Sequence, residues 1–313
     1  MPSLLIRVML VAVAATGVVT AAKIPARPAI TGISHMAVYT TDAQAAERFY
    51  AHDLGATKGQ DPEDPAGVRY YFSPVQFVEV LPLPAGDSSN SRLAHVGWET
   101  ASAEGMRRYL LANGIKVSDT LHHGSDHSVW FTLNDPEGNE LQFVQPPPAG
   151  SMAAIRPDPL SSHMIHVGFL VHSRTAEDSF YRTVLGFRPY WYGGQKAGRL
   201  DWVSQQVPDG TDWLEYMLVT GDRGTASGAR PLSQNQLGVM NHFSLGVQNM
   251  EAAVTLLTRE GRLSTKHTGP QIGLDGKWQY NLFDPDATRV ELMEFQPVIT
   301  PCCSSFTAAS PVR

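Results

Sequence analysis

Four times along the chain a short apolar run headed by a histidine is followed by a helix-forming segment and then by shorter alternating runs. The leading runs are ISHMAVYT (33–40), LAHVGWET (93–100), MIHVGFLV (164–171) and NHFSLGV (241–247). Each predicts a strand. In the first and third units the helix carries a Phe-Tyr pair (Phe49-Tyr50, Phe180-Tyr181) and stops at Leu-Gly (Leu54-Gly55, Leu185-Gly186). Glycine suits a left-handed helix end, and Asp42 or Ser173 can cap the start. Beyond the helices, RYYFSPVQFVEVLPL, SVWFTLNDPEGNELQFVQ, RLDWVSQQVPDGTDWLEYMLV and KWQYNLFDPDATRVELMEF alternate apolar and polar positions. Two of them turn at Asp-Pro, which predicts hairpins. The repeated unit is therefore strand, helix and about three strands, and four such units fill the chain.

Punctuation divides the units into pairs. QPPPAGSMAAIRPDPLSSH (145–163) holds Pro146, Pro147, Pro148 and Asp158-Pro159, which continue neither sheet nor helix. This predicts two halves, 31–148 and 163–297, joined by a linker over 149–162 and followed by a tail over 298–313. The stretches 84–92 and 220–236 are expected to be flexible loops within each half. The first 22 residues combine Arg7, an apolar run from Val8 to Val19 and small residues to Ala22, the pattern of a cleavable export signal. An uncleaved anchor fits less well, because the run is shorter than the ~20 residues a span needs. The expected location is therefore exported, periplasmic or secreted, with no stable membrane span after cleavage.

With 313 residues, 42% hydrophobic and 17% charged, the chain reads as globular. A net charge of -6 offers no basic field for phosphate backbones, so nucleic acid is excluded as a partner. Cys302 and Cys303 are the two cysteines, adjacent and in the tail, so no disulfide framework holds the fold. They would be either bonded to each other or free.

The order of units, with FYRTVLGF (180–187) and DPDATRVELMEF (284–295) as its most specific phrases, resembles the vicinal oxygen chelate superfamily over residues 31–297. That superfamily includes glyoxalase I, methylmalonyl-CoA epimerase, extradiol dioxygenases, and fosfomycin-resistance and bleomycin-binding proteins. The resemblance implies an α+β fold in which four βαβββ units pair into two domains, each a curled mixed sheet around a cavity. It also implies metal ligands on the first strand of a unit and on the strand after the Asp-Pro turn. In the second half these positions are His166, His242 and Glu291, with Glu215 as a fourth. Such imidazoles and carboxylates hold divalent zinc, nickel, manganese, cobalt or iron(II). A lone histidine at a strand start is ordinarily a satisfied core residue. Two at equivalent positions of repeated units, with an acid after the turn, favour a metal centre. Strand alternation puts Glu291 on the face of Met293 and opposite Val290 and Leu292.

The first half offers His35, Glu79 and His95, but Gln142 stands where the second half has Glu291. An amide is a poor ligand, so this set reads as a decayed site or, on its three remaining donors, a second metal site. His122, His123 and His127 could serve either site or simply be solvated; His163 and His172 lack repeat equivalents and are expected to be incidental.

Three functions follow from the resemblance. The first is a metal-dependent isomerase or lyase, with Glu215 or Glu291 abstracting a proton next to a metal-bound carbonyl of a small vicinally oxygenated substrate. The second is an extradiol Fe(II) ring-cleaving dioxygenase, although the His and Tyr of that signature are missing: Asn281 occupies the Tyr position, Tyr280 falls on the opposite face, and His267 is distant. The third is a non-catalytic small-molecule binding or resistance protein, with Tyr190, Trp191, Tyr192, Trp202 and Trp213 lining a cleft. The halves could pair within one chain or across a homodimer.

Overall fold

The computed structural model describes residues 24–156, 160–196, 198–219 and 231–312. The N-terminal run read as an export signal lies outside the described residues, as do Asp158-Pro159 of the linker and positions 220–230 of the second loop. Among the described residues no helix is long and apolar enough to cross a membrane.

The first half runs β1 (Ile30–Thr40), α1 (Ala43–Glu47), β2 (Thr57–Gln60), β3 (Val68–Tyr71), β4 (Phe77–Pro82), β5 (Leu93–Thr100), α2 (Ala103–Ala112), β6 (His122–His123), β7 (Val129–Asn134) and β8 (Glu140–Gln145). The second runs β9 (Met164–Val171), α3 (Arg174–Asp178), β10 (Arg188–Gly193), β11 (Trp202–Gln206), β12 (Trp213–Leu218), α4 (Gln234–Met240), β13 (His242–Val247), α5 (Met250–Arg259), β14 (Gln271–Ile272), β15 (Trp278–Phe283) and β16 (Arg289–Glu294). Each half makes one mixed eight-stranded sheet, ordered β2-β3-β4-β1-β5-β8-β7-β6 and β10-β11-β12-β9-β13-β16-β15-β14. These are the four βαβββ units of the sequence, paired two by two.

Local chemistry explains the elements. Asp42 accepts from the amides of Gln44 and Ala45, and Ser173 from that of Ala176, so both helix starts are capped as the sequence predicts. Gly55, Gly114, Gly186 and Gly261, at φ between 64° and 82°, follow α1, α2, α3 and α5, with π-helical turns Arg48–Asp53 and Ser179–Val184 continuing α1 and α3 up to Leu54-Gly55 and Leu185-Gly186. One expectation fails: 220–236 is not loop throughout, because Gln234–Met240 is helical. Its start is a capping box in which Ser233 and Gln236 bond each other's backbone amides, a signal hidden by the Gly- and Ser-rich run before it.

Each Asp-Pro turn is built on its aspartate, whose Oδ1 accepts two amides: Glu137 and Asn139 at Asp135, Asp286 and Thr288 at Asp284. The second oxygen, which at Asp135 also accepts from the Asn139 side chain, reaches the other half. Tyr50 donates to Asp284 Oδ2 at 2.8 Å and Tyr181 to Asp135 Oδ2 at 3.4 Å. The repeated Phe-Tyr and Asp-Pro phrases are thus two sides of one reciprocal interface, around which a single apolar core spans both halves. Gln76 ties the halves further, donating to the carbonyls of Ile33 and Met164 and accepting from the amide of Met164.

The tail packs along the second half. Cys302 and Cys303 are bonded to each other, the Cys302 amide donates to Leu274 O at 2.7 Å, and the Trp191 indole donates to Cys302 O at 3.2 Å. His163 bridges Asp212 (2.7 Å) and Val312 O (2.8 Å), tying the tail to the second half, and His172 pairs across the interface with Glu137 of the first half at 3.0 Å.

Candidate metal centre

The four central strands of the second sheet, β12, β9, β13 and β16, each contribute one donor residue in register. One row across the sheet reads Glu215, Gly168, His242 and Arg289; the next reads Trp213, His166, Ser244 and Glu291, with Asn281 beyond it. Rows two residues apart share a face, so all four donors project to the same side. The small residue between donors matters: a Cβ on Gly168 would collide with the His242 ring. Glycine there lets the imidazole lean across β9 toward His166.

The result is convergence. His166 Nε2 lies 3.1 Å from His242 Nε2 and 3.3 Å from Glu291 Oε2, and His242 Nε2 lies 3.5 Å from Glu215 Oε2. Donor atoms of His166, Glu215 and His242 all fall within 4.8 Å of one another; Glu291 closes on His166 from the far side. His242 Nδ1 faces Met240 O at 2.8 Å, and since a carbonyl only accepts, Nδ1 carries the proton and Nε2 presents a lone pair. His166 Nδ1 has no partner, and its ring packs on Trp213 at 4.7 Å. Two imidazoles and the Glu215 carboxylate converging in this way, with the Glu291 carboxylate beside His166, suit a divalent cation.

The carboxylates differ. Burial pushes Glu291 up, but the Arg289 guanidinium, 3.7 Å away, and His166 outweigh it and hold the group to about 2. Burial raises Glu215, helped by Glu291 and opposed by His166. Glu215 makes no hydrogen bond closer than its 3.5 Å approach to His242, and its side chain is 15% exposed against 4% for Glu291. Burial and Arg289 lower His242 well below the ordinary imidazole value.

Glu215 and Glu291 form part of the wall of a cavity of about 310 Å³, with Trp191, Trp202, Asn281 and Arg289 among the other lining residues. Arg289 Nη1 is 3.3 Å from Asn281 Oδ1, while its buried Nε has no partner. Of the five aromatics expected to line a cleft, Trp191 and Trp202 do so. Tyr190 and Trp213 instead surround the buried Lys277 ammonium together with Phe306 of the tail, at 4.8–5.8 Å, and Tyr192 faces outward. Tyr280 lies in the core on the opposite face, as strand alternation predicts. Burial lowers Lys277 to about 8 and raises Asp275 to about 7. Arg289 and Lys277 carry no spacing signature in the sequence; strand parity with Glu291 and Asn281 is the signal that points to them.

The first half repeats the two rows as Arg69, Glu79, Ala37 and His95, and Phe77, His35, Gly97 and Gln142. His35 and His95 approach at 2.9 Å, and His95 lies 3.1 Å from Glu79. Burial pushes Glu79 up, but His95 and His35 hold it below the usual carboxylate range. The Gln142 amide nitrogen donates to Glu63 Oε2 at 3.0 Å, while its Oε1 is buried without a hydrogen-bond partner among the described residues. His122, His123 and His127 are exposed, with His122 stacked on Trp130.

Residues 32–143 match the family described as Glyoxalase/Bleomycin resistance protein/Dioxygenase superfamily. No curated protein matches significantly. Solved structures resemble nearly the whole chain at low identity, which speaks to fold. Homoprotocatechuate 2,3-dioxygenase from Brevibacterium fuscum, in complex with 3,4-dihydroxyphenylacetate, is 14% identical with a TM-score of 0.62, covering 93% of this chain and 88% of that one. A catechol 2,3-dioxygenase is 15% identical (0.60; 90% and 92%). The Mn(II)-bound glyoxalase from Novosphingobium aromaticivorans is 16% identical (0.61; 85% and 83%).

Proposed function

We propose that this member of the glyoxalase, bleomycin-resistance and dioxygenase superfamily is a metal-dependent isomerase or lyase whose centre is His166, His242, Glu291 and Glu215. The observation that carries the reading is the second carboxylate: Glu215 and Glu291 flank the two histidines and both border the cavity. A divalent ion held there would supply Lewis acidity toward two neighbouring substrate oxygens. Glu291, fixed by Arg289 and His166, serves as a ligand. Glu215, loosely held and partly open to the cavity, takes the proton from the carbon beside the carbonyl and returns it. Burial favours its protonated form, which suits a group that must hold a proton between the two steps. The Arg289 guanidinium, which borders the cavity, attracts a negatively charged oxygen of the substrate, and Trp191 and Trp202 shield the site from water. The substrate class that fits is a small α-hydroxy ketone or oxo acid bearing an anionic group.

A second reading uses His166, His242 and Glu291 for iron(II) in an extradiol dioxygenase. It is favoured by the fold likeness to ring-cleaving dioxygenases over about nine-tenths of the chain, and disfavoured by Asn281 beside Glu291 where that chemistry would use a tyrosine. One experiment separates them. The chain, stripped and reloaded with manganese, nickel, zinc or iron(II), is incubated with small hydroxy ketones and oxo acids in deuterated water, and with catechols under oxygen. Deuterium at the α-carbon, lost in Glu215→Gln, supports the isomerase or lyase. Oxygen uptake with ring cleavage overturns it in favour of the dioxygenase. Tight binding with neither leaves a binding protein.

Export forms part of the proposal, motivated by the apolar run of residues 8–19. An intact N-terminus on the chain recovered from its native host would contradict it.

A further inference from the structure

Compared by the Asp-Pro turns and by strand pairing, the first-half cluster differs from the second in three charged positions beside its donors, one of them Glu140 where the second half has Arg289. Gln142 replaces Glu291, and Arg69, opposite Glu79 across β3 and β4, replaces Ser204, opposite Glu215 across β11 and β12. Across the three positions the net charge is unchanged, but the cation moves from the strand after the turn, Arg289, to Arg69 on β3.

Arg69 is 3% exposed, a depth at which a guanidinium must be paired. Its Nε lies 3.3 Å from Asp61 Oδ1 and 3.9 Å from Glu79 Oε1, its Nη2 pairs with Glu63, and its Nη1 lies 3.9 Å from Asp126 Oδ2. The guanidinium carbon sits 4.2 Å over the Phe77 ring, which stacks on His35 at 4.6 Å. Glu63, the partner of Arg69, is also the acceptor of the Gln142 amide, so these two exchanged residues belong to one network. His35 Nδ1 has Ser34 Oγ at 3.1 Å, where His166 Nδ1 has nothing.

We propose that the Arg69 guanidinium is the resident cation of the first half, taking the place of a metal ion, and that His35, Glu79 and His95 form a latent metal site which two substitutions would reopen. His35, Glu79 and His95 keep the three-donor geometry, within 4.8 Å of one another. A divalent ion placed among them would sit beside a buried positive charge that cannot leave by deprotonation, and the fourth position offers an uncharged amide oxygen in place of a carboxylate. The guanidinium, fixed by the chain, thus orders this half whatever the second half binds.

The test is metal stoichiometry of the full chain after equilibrium dialysis against manganese(II), read as a difference from wild type so that it stands whatever the second half holds. Arg69→Ser with Gln142→Glu should gain one ion per chain and lose it again when His35→Ala is added. Arg69→Lys with Gln142→Glu, which keeps a cation, should gain none. Because the reopened site crowds carboxylates, its melting temperature should rise with added manganese(II) far more than that of the wild type. In the otherwise wild-type chain, His35→Ala should leave the ion count unchanged. Loss of one ion in that single variant would overturn the proposal. So would a folded Arg69→Ser/Gln142→Glu chain that binds no more metal than wild type. Should that double variant fail to fold even with metal, the His35→Ala comparison decides alone.

Discussion

Glu291 and Glu215 are the same side chain in two settings, and their roles follow from what touches them. Glu291 is bracketed by Arg289 at 3.7 Å and His166 at 3.3 Å; Glu215 approaches His242 no closer than 3.5 Å. Replacing Glu291 by Gln should abolish tight metal binding, seen by elemental analysis, and activity with it. Replacing Glu215 by Gln should retain much of the metal while lowering turnover about 10²- to 10⁴-fold, the usual worth of a general base. Arg289→Ala should raise KM for an anionic substrate about 10- to 100-fold, as loss of one charge-assisted hydrogen bond does, and leave a neutral analogue less affected. The two acids and two histidines were legible in the sequence because the chain repeats itself and each donor has a counterpart. Arg289, Lys277 and Arg69 have no repeat counterpart, and strand parity alone points to Arg289 and Lys277 only once Glu291 and Asn281 are taken as site residues.

At the scale of elements, the centre depends on strand register and on what separates the donors. The alternation that puts Val290 and Leu292 in the core puts Glu291 and Met293 on the other face, and both hold. The sequence did not reveal why Gly168 is glycine, since its neighbour in space lies more than seventy positions away. Gly168→Ala would press a methyl into the His242 ring and should weaken metal binding about 10- to 100-fold, the range for disturbing a ligand's support. Gly97→Ala would do the same to His35, and with Arg69 as the resident cation should leave metal binding unchanged. Titration of the two variants with manganese(II) compares them directly. Helix α4 was unread for a different reason: a two-residue capping box is a weak signal beside a long run of Gly and Ser.

At the scale of the molecule, the halves hold each other through buried acids. Burial pushes Asp284 up to about 7 despite its bonds from Tyr50 and the turn amides, and pushes Glu177 up to about 9 with help from Asp135 and Glu137. A carboxyl raised in the folded state favours folding fully below its unfolded value, near 4, and loses that contribution as pH rises through its folded value. Stability should therefore fall between about pH 4 and 9, the part up to about 7 from Asp284 and the rest from Glu177, and Asp284→Asn, which cannot ionise, should flatten the lower part of the fall. The rise of Asp284 from near 4 to about 7 limits the benefit of that substitution at pH 8 to about 4 kcal/mol, read from denaturant melts of both proteins across pH. The two-half architecture was visible in the repeats; the reciprocal seam between Phe-Tyr helices and Asp-Pro turns was not, since no local pattern says which copy a side chain will meet. The most direct test of a metal centre in the second half is the number of divalent ions bound per purified wild-type chain beside His242→Ala. One ion in the wild type and none in the variant is the expected result; no ion in the wild type after reloading, or a count that His242→Ala leaves unchanged, would contradict it.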